Sequence, residues 1–528
     1  MDTQSKKYLV GGGIASLSAA VYLIQDGKIK GEDIVIFDES KRIGGSLDAQ
    51  NLSTSEGYVM RGIRMFEEEA YTCSFDLMAR IPSLNMPGKN LREEFVDYNS
   101  KNKSYSKSRL LKDGEAIDSR PLKLNLKDRL NLIHLFFKRE SVLEDMEIQH
   151  YFTPQFFTSN FWYEFCTVFA FQPWHGLIEF RRYLMRFVQS FSSIDTLENI
   201  ESSPYNQYEF LVLPIIDWLI EQGVTFVLNT KVSDIDFVSD EQGNRKVCSI
   251  RYSLIGGEPV DVSIRKNDHV FITLGSMVAG SYVGSMKTAP LPTSAGKNFS
   301  WDLWRCIAED RPEFGVPSVF DSHVDKSKWT SFTVTFRDPL FFSLIEKFIH
   351  KKVTAYGGVN LIDSNWFMSI VLSYKPYFLN QPDGVNLCWG YGLSTEKVGN
   401  IIKKKMSECT GEEILTELVH HLGFEEHLET LLKTSVCIPC VTPYVTSQFL
   451  PRKKSDRPLV RPKGSVNFAF LGQYCEMPDD VVFTVEYSIR SAQTAVCSLL
   501  VLDKKIPPIY KGLHHAKVLF NAFRTILR

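Results

Sequence analysis

A short apolar run, Lys7 to Val10, leads straight into three glycines, Gly11 to Gly13. From Ile14 to Ile24 small and apolar residues keep helical company, and Gly27 ends the run. A second apolar run, Asp33 to Phe37, closes on Asp38 and Glu39. Strand-like patterns return at Thr225 to Phe237, Val247 to Leu254, His269 to Leu274 and Val466 to Leu471. Between them, residues 85–130 are polar and lysine-rich and read as surface loops and short strands. Residues 125–200 read as mostly helical and are dense in aromatics, with Ile178, Leu184 and Phe187 at helical spacing. The alternation predicts an α/β protein, α+β overall, with a Rossmann-like unit at its start.

Strand, glycine turn, helix, strand and acid form the dinucleotide fingerprint in its proper context. Gly11 permits the tight turn, and Gly13 lets backbone approach a pyrophosphate with no Cβ in the way. Ile14 and Ala15 begin the helix, whose free N–H groups and positive dipole end favour that anion. Ser16 stands where a third small residue is needed for close helix–sheet packing. Asp38, with Glu39 beside it, is placed for the ribose hydroxyls. The second glycine pair, Gly44 and Gly45, followed by Ser46, brings more N–H groups toward the phosphates. With Arg61 and Gly62 it narrows the cofactor from any dinucleotide to FAD. Val232, the turn Gly275–Ser276 after a later strand, and Phe483 and Ser488 near the last helix are further cofactor candidates. The cofactor domain is therefore discontinuous, of the two-dinucleotide-fold type, with segments 1–84, 201–295 and 431–504. Residues 85–200 and 296–430 form the partly helical substrate side, and 505–528 a helical tail.

The chain has 528 residues, 44% hydrophobic and 23% charged, which suits several packed domains. A net charge of −2 gives no basis for nucleic-acid binding. The 37 phenylalanines suit a large apolar cavity or a dense core equally. The first residues lack the apolar core of a secretory signal, and no apolar run reaches the roughly 20 residues of a membrane span. Ten scattered cysteines suit a reduced, cytoplasmic protein. Cys437 and Cys440 have no second pair and no matching histidine, so they read as buried thiols, and no metal site is expected. The tail, Gly512 to Arg528, mixes basic and apolar residues at helical spacing. It suits peripheral contact with an anionic membrane as well as docking on its own protein.

With these segments in view, the chain resembles the oleate hydratase family, long called myosin-cross-reactive antigens. The blocks that carry the likeness include Gly12 to Gly27, Gly44 to Asp48, Met60 to Gly62, Arg80 to Leu84, Trp174–His175, Phe180 to Phe187, Tyr205 to Glu209, Asp363 to Trp366 and Phe483 to Arg490. The likeness implies an FAD protein that adds water to the cis-9 double bond of free unsaturated fatty acids, giving 10-hydroxy acids with no net redox change. It also implies a monomer or homodimer. Tyr183 matches the family's proton donor, with Arg182 and Arg186 expected to ease its ionisation. Asn365 lies in one matching block, and Lys375 and Tyr377 match the region that holds the fatty-acid carboxylate. The family's water-positioning glutamate is Met65 here, in the run Arg61 to Glu69, and a thioether cannot take a proton from water. Glu67, Glu68 or Glu69 is left to do so. Two alternatives stand beside hydration: an FAD-dependent oxidoreductase of amine-oxidase or desaturase type, and a lipid-binding flavoprotein without catalysis.

Overall fold

In the computed structural model, which describes residues 5–53, 56–102, 110–194, 196, 200–292, 299–348, 357–373, 375–394, 396–512 and 515–527, the opening strand Lys7–Val10 is the centre of a five-stranded parallel sheet. Across the sheet the order is Phe468–Leu471, His269–Thr273, Lys7–Val10, Ile34–Phe37 and Thr225–Val227. The sheet thus draws its strands from the start, middle and end of the chain. Helix Ile14–Gln25 packs against helix Val485–Leu499, and both are largely buried. Ser16, Ala19 and Ala20 are fully buried in that contact region, where only small side chains let a helix lie close to a sheet.

The run 225–237, read from sequence as one strand, is two. It breaks at Asn229, whose φ of +52° turns the chain out of the parallel sheet. Thr230–Ser239 then opens an antiparallel meander with Arg245–Leu254 and Val260–Ser263. The 85–130 region also holds more helix than its polarity suggested. Leu91–Lys101 is a helix started by a full capping box between Asn90 and Glu93.

An eight-stranded sheet makes the second layer. Its order is Tyr282–Val283, Ser435–Thr442, Trp329–Phe336, Asn386–Gly392, Met368–Leu372, Gly357–Leu361, Leu110–Lys112 and Glu115–Ala116. Ser435–Thr442, assigned from sequence to the third cofactor segment, therefore belongs to this sheet. Along that strand Cys437 joins the apolar core behind the sheet, while Cys440 lies opposite Ser331; both are buried free thiols. Residues three apart on a strand face opposite sides, so this pair makes no dithiol. The back of the sheet is covered by helices Leu340–Phe348 and Gly411–His421. Helices Asn160–Phe169 and Leu177–Arg186 lie over its front.

The tail folds as helix Ala516–Leu527, with Ala522 and Ile526 buried and Phe523 packed edge-on against Phe136. Among the described residues no helix is long and apolar enough to cross a membrane.

Candidate functional site

Two adjoining hollows dominate the molecule: a polar cleft along the carboxyl ends of the parallel strands, and an apolar cavity on the front of the eight-stranded sheet. The cleft encloses about 550 Å³. Gly11, Gly13, Ile14, Ala15, Asp38, Glu39, Gly45, Ser46, Arg61, Val232, Gly275, Ser276 and Ser488 all line it. Gly11 takes a φ of +96°, as the tight turn requires. Gly13 has an ordinary backbone, and a Cβ built on it meets nothing. A side chain there would project into the open cleft, and its absence leaves the backbone accessible to a bound group. A Cβ on Gly45 meets only the Cα of Gly13, and the Gly44 N–H donates to the Gly12 carbonyl at 3.2 Å, so the two glycine turns pack directly together and line the cleft side by side. Helix Ile14–Gln25 has no side-chain cap, which leaves its first N–H groups for an anion.

Asp38 accepts hydrogen bonds from the Gly12 N–H (2.5 Å) and the Ser40 N–H (2.7 Å), so it braces the glycine turn. Glu39, beside it, faces the cleft. Burial, reinforced by Asp38 and Asp302 and opposed by Lys231, raises its carboxyl to about 7. These residues fit FAD: glycines open to the phosphates, a bare helix start, and acids at the ribose end.

Ser16, Gly62 and Phe483, also expected at the cofactor, stand behind or beyond the cleft. Ser16 shares a hydrogen bond with Thr273 (3.2 Å) in the wall. Gly62 (φ +137°) lets the chain pass the Arg64 guanidinium, which a Cβ would strike. Phe483 lines the apolar cavity instead, because its φ of +71° turns it across the boundary between the two hollows.

The cavity brings together Met65, Glu67 and Tyr183 with Arg64, Phe187, Trp389 and Tyr391. Its floor is one face of the eight-stranded sheet. Asn360 pairs with Ser369, and Ser369 with Tyr391, so their side chains stand in a row. Asn360 Nδ2, Ser369 Oγ and Trp389 Nε1 are buried and have no hydrogen-bond partner among the described residues. The roof is Thr167 to Ala170 and Tyr183 with Phe187, on or beside the two aromatic helices.

Tyr183 Oη donates to the Val482 carbonyl at 2.5 Å. Burial raises its phenol well above the usual value, with Tyr71, Glu179 and Asp480 adding to the rise and Arg64 opposing it. This corrects the expectation that Arg182 and Arg186 ease its ionisation. Arg182 is committed to Glu140 and Glu476, both at 2.7 Å. Arg186 reaches Asp480 at 3.7 Å and donates to the Ala70 and Tyr510 carbonyls.

Glu67 is half-buried against Gln189, whose Nε2 donates to it at 2.9 Å. Desolvation raises its carboxyl, and that hydrogen bond partly offsets the rise. Glu68 and Glu69 are exposed. Glu68 pairs with Arg92 at 2.6 Å, outside the cavity.

Arg64, read from sequence only as part of the run 61–64 that favours FAD, also lines the cavity. It lies between cavity and cleft, donating to the Ser46 carbonyl at 3.3 Å with its guanidinium 5.9 Å from the Phe483 ring. It is shielded from bulk solvent yet open to the cavity. Desolvation lowers its hold on its proton, and the phenols Tyr377, Tyr71 and Tyr183 counter that.

The substrate candidates do not gather here. Asn365 is exposed, its N–H bonded to Asn400 Oδ1. Lys375 is half-buried and does not line the cavity. Tyr377 is fully buried one layer back, and burial raises its phenol while Gln207 and Arg64 oppose the shift.

The family model described as MCRA family matches residues 4–497. An oleate hydratase from Streptococcus pyogenes serotype M49 (strain NZ131) is 37% identical, covering 98% of this chain and 89% of its own length. A linoleate hydratase from Lactiplantibacillus plantarum is 31% identical, covering 93% of each. Among solved structures, cyclohexylamine oxidase from Brevibacterium oxydans IH-35A is similar with a TM-score of 0.53 at 12% identity, over 94% of this chain and 99% of that one. That last likeness is one of fold alone. A match that runs through the glycine turns, the aromatic helices and the floor strands alike shows that the chain belongs to the MCRA family.

Proposed function

We propose that the protein is a hydro-lyase that adds water across a double bond of an unsaturated fatty acid, with FAD in the glycine-lined cleft. The observation that carries this reading is an apolar cavity, sharing a wall with that cleft, lined by the half-buried carboxylate of Glu67 and by three phenols, of which Tyr183 stands in the roof on an aromatic helix. An aliphatic chain is held there by aromatic and aliphatic walls. The relatives' names, oleate and linoleate hydratase, supply the substrate class.

Hydration of an alkene forms one C–H and one C–O bond. Tyr183 delivers its proton to one carbon while a water held by Glu67 attacks the other and passes a proton to the carboxylate. Glu67 then returns that proton to Tyr183 through water, and the cycle closes with no electrons transferred. The raised phenol keeps Tyr183 protonated at neutral pH. Turning its O–H from the Val482 carbonyl into the cavity is the only movement required of it. Desolvation makes Glu67, once ionised, a stronger base than a solvated glutamate. Met65 contributes apolar surface where a carboxylate is absent. When bound, FAD supplies an electron-rich surface beside the alkene.

The test is anaerobic incubation of protein, reduced FAD and oleic acid. Formation of a hydroxy acid heavier by one water supports the reading. Hydrogen peroxide or oxidised substrate supports an oxidoreductase instead, and no product at all a binding protein.

Contact with a membrane surface, from which a lipid substrate is drawn, is the second part of the reading. It is supported by Phe520 and Phe137, exposed on two helices that pack together. Phe520→Ser lowers co-sedimentation with anionic vesicles if that contact is real and leaves it unchanged if not.

A further inference from the structure

Gln473 follows the last strand of the parallel sheet and lines the cofactor cleft. Its hydrogen bonds, however, reach into the wall of the cavity. Oε1 accepts the N–H of Phe483, and Nε2 donates to the Thr484 carbonyl (2.9 Å) and Ser488 Oγ (2.8 Å). Phe483 and Thr484 line the cavity, and the carbonyl just before them, on Val482, holds the Tyr183 hydroxyl. Phe483 has a φ of +71°, a conformation that a bulky residue adopts only when its surroundings impose it. The bond from Gln473 is one such imposition. Just before this point the loop is pinned by buried ion pairs, Glu476 to Arg182 at 2.7 Å and Asp480 to Arg490 at 3.0 Å, the second tying it to the helix that follows. The stretch 481–484 is held by its own turn, by the buried side chains of Val481 and Val482, by the Phe483 ring against Trp329 and Phe449, and by Gln473, which alone among these also lines the cofactor cleft.

We propose that Gln473 is a positioning residue that couples the two hollows: a cofactor seated in the cleft packs on its amide and so fixes Phe483 and the Val482 carbonyl that aims the Tyr183 hydroxyl. This rests on the reading of the cleft as an FAD site and the cavity as a fatty-acid site. It gives the cofactor a structural task in a reaction that transfers no electrons. Because coupling between two binding sites is reciprocal, it is measurable without turnover.

The experiment measures the FAD dissociation constant by flavin fluorescence, without and with saturating stearate, a saturated acid that has no double bond to hydrate. Wild type is expected to bind FAD at least about fivefold more tightly with stearate present, within the usual span of coupled sites. Gln473→Leu keeps the volume and removes all three hydrogen bonds. Its ratio is expected to fall to within about twofold of unity while FAD still binds. Gln473→Glu keeps an acceptor for the Phe483 N–H and loses the donors, so its ratio is expected between the two; this variant carries the test if the leucine variant does not fold. A wild-type ratio retained in either variant, or a ratio of one in wild type with both ligands bound, overturns the coupling and leaves the functional reading standing. Failure of wild type to bind FAD or stearate overturns both.

Discussion

The cleft and the cavity share a wall but are made of different things. The cleft is made of backbone: Gly11, Gly13 and Gly45 clear the way for main-chain N–H groups, and most of its specificity lies in atoms every residue possesses. The cavity is made of side chains from stretches near residues 64, 168, 183, 329, 360–391 and 484, brought together only by sheet pairing and helix packing. Backbone sites tolerate almost any change of side-chain character except an added Cβ at the approach points. Side-chain sites fail when one functional group is exchanged for another of the same shape.

Gly13→Val should break the comparison most sharply on the cleft side. The added Cβ meets no protein atom and points into the open cleft, so melting temperature should stay within about two degrees, small on the scale of single-mutant effects. FAD affinity should fall by about a hundredfold or more, near 3 kcal/mol. Flavin titration and calorimetry check both halves; a normal flavin affinity would remove the pyrophosphate assignment.

On the cavity side, Tyr183→Phe should keep FAD and lower hydration by about a hundredfold to ten-thousandfold, the range of a lost general acid. Glu67→Gln should cost somewhat less, about a hundredfold, because solvent water can still enter. Wild-type rate should also fall as pH drops through the Glu67 value. Burial has raised that value, so the loss begins at a higher pH than for a solvated glutamate. A rate that is flat down to the ordinary glutamate range would exclude Glu67 as the base.

The smallest effect lies behind the cavity floor. His421 sits between Asp363 (3.6 Å) and Glu417 (3.5 Å), and these carboxylates raise it to about 9 against the cost of burial. Its charge therefore stabilises the fold fully below its unfolded value of about 6.5 and loses that contribution as pH rises through about 9. His421→Gln should lower stability by about 1 kcal/mol at pH 6 and by less at pH 10, after allowance for solvent screening. Denaturant titration at the two pH values measures it, with FAD affinity unchanged.

The same contrast decides what was legible in the sequence. Gly11, Gly13, Asp38 and Gly45 lie in one contiguous stretch, and local spacing alone locates the cleft. The later strands that complete it, around Gly275 and Gly472, end in glycines that also signal close approach. Asn360, Ser369, Trp389 and Tyr391 carry no such spacing, since their register exists only once the strands pair. One signal was present: Asn360 stands between Val359 and Leu361, and Ser369 between Met368 and Ile370, polar residues flanked by buried apolar ones. Arg64 stood next to Met65 in the run already singled out, yet nothing local shows that it turns inward. Phe483 was placed at the cofactor because its left-handed backbone, which aims it into the cavity instead, is imposed by tertiary contacts. The basic neighbours of Tyr183 mislead for two reasons: Arg182, adjacent in the helix, faces another way into a buried ion pair, and Arg186, although on the same face, is taken up by Asp480 and the Ala70 and Tyr510 carbonyls.

The division of labour between the two hollows is tested most directly by isotope tracing. The wild-type protein with reduced FAD is incubated anaerobically with oleic acid in water enriched in both oxygen-18 and deuterium. The expected product is a hydroxy acid carrying one solvent oxygen and one carbon-bound deuterium on adjacent carbons, with the flavin's redox state unchanged by substrate. A product without carbon-bound deuterium, or electrons passing between substrate and flavin, would contradict this division of labour.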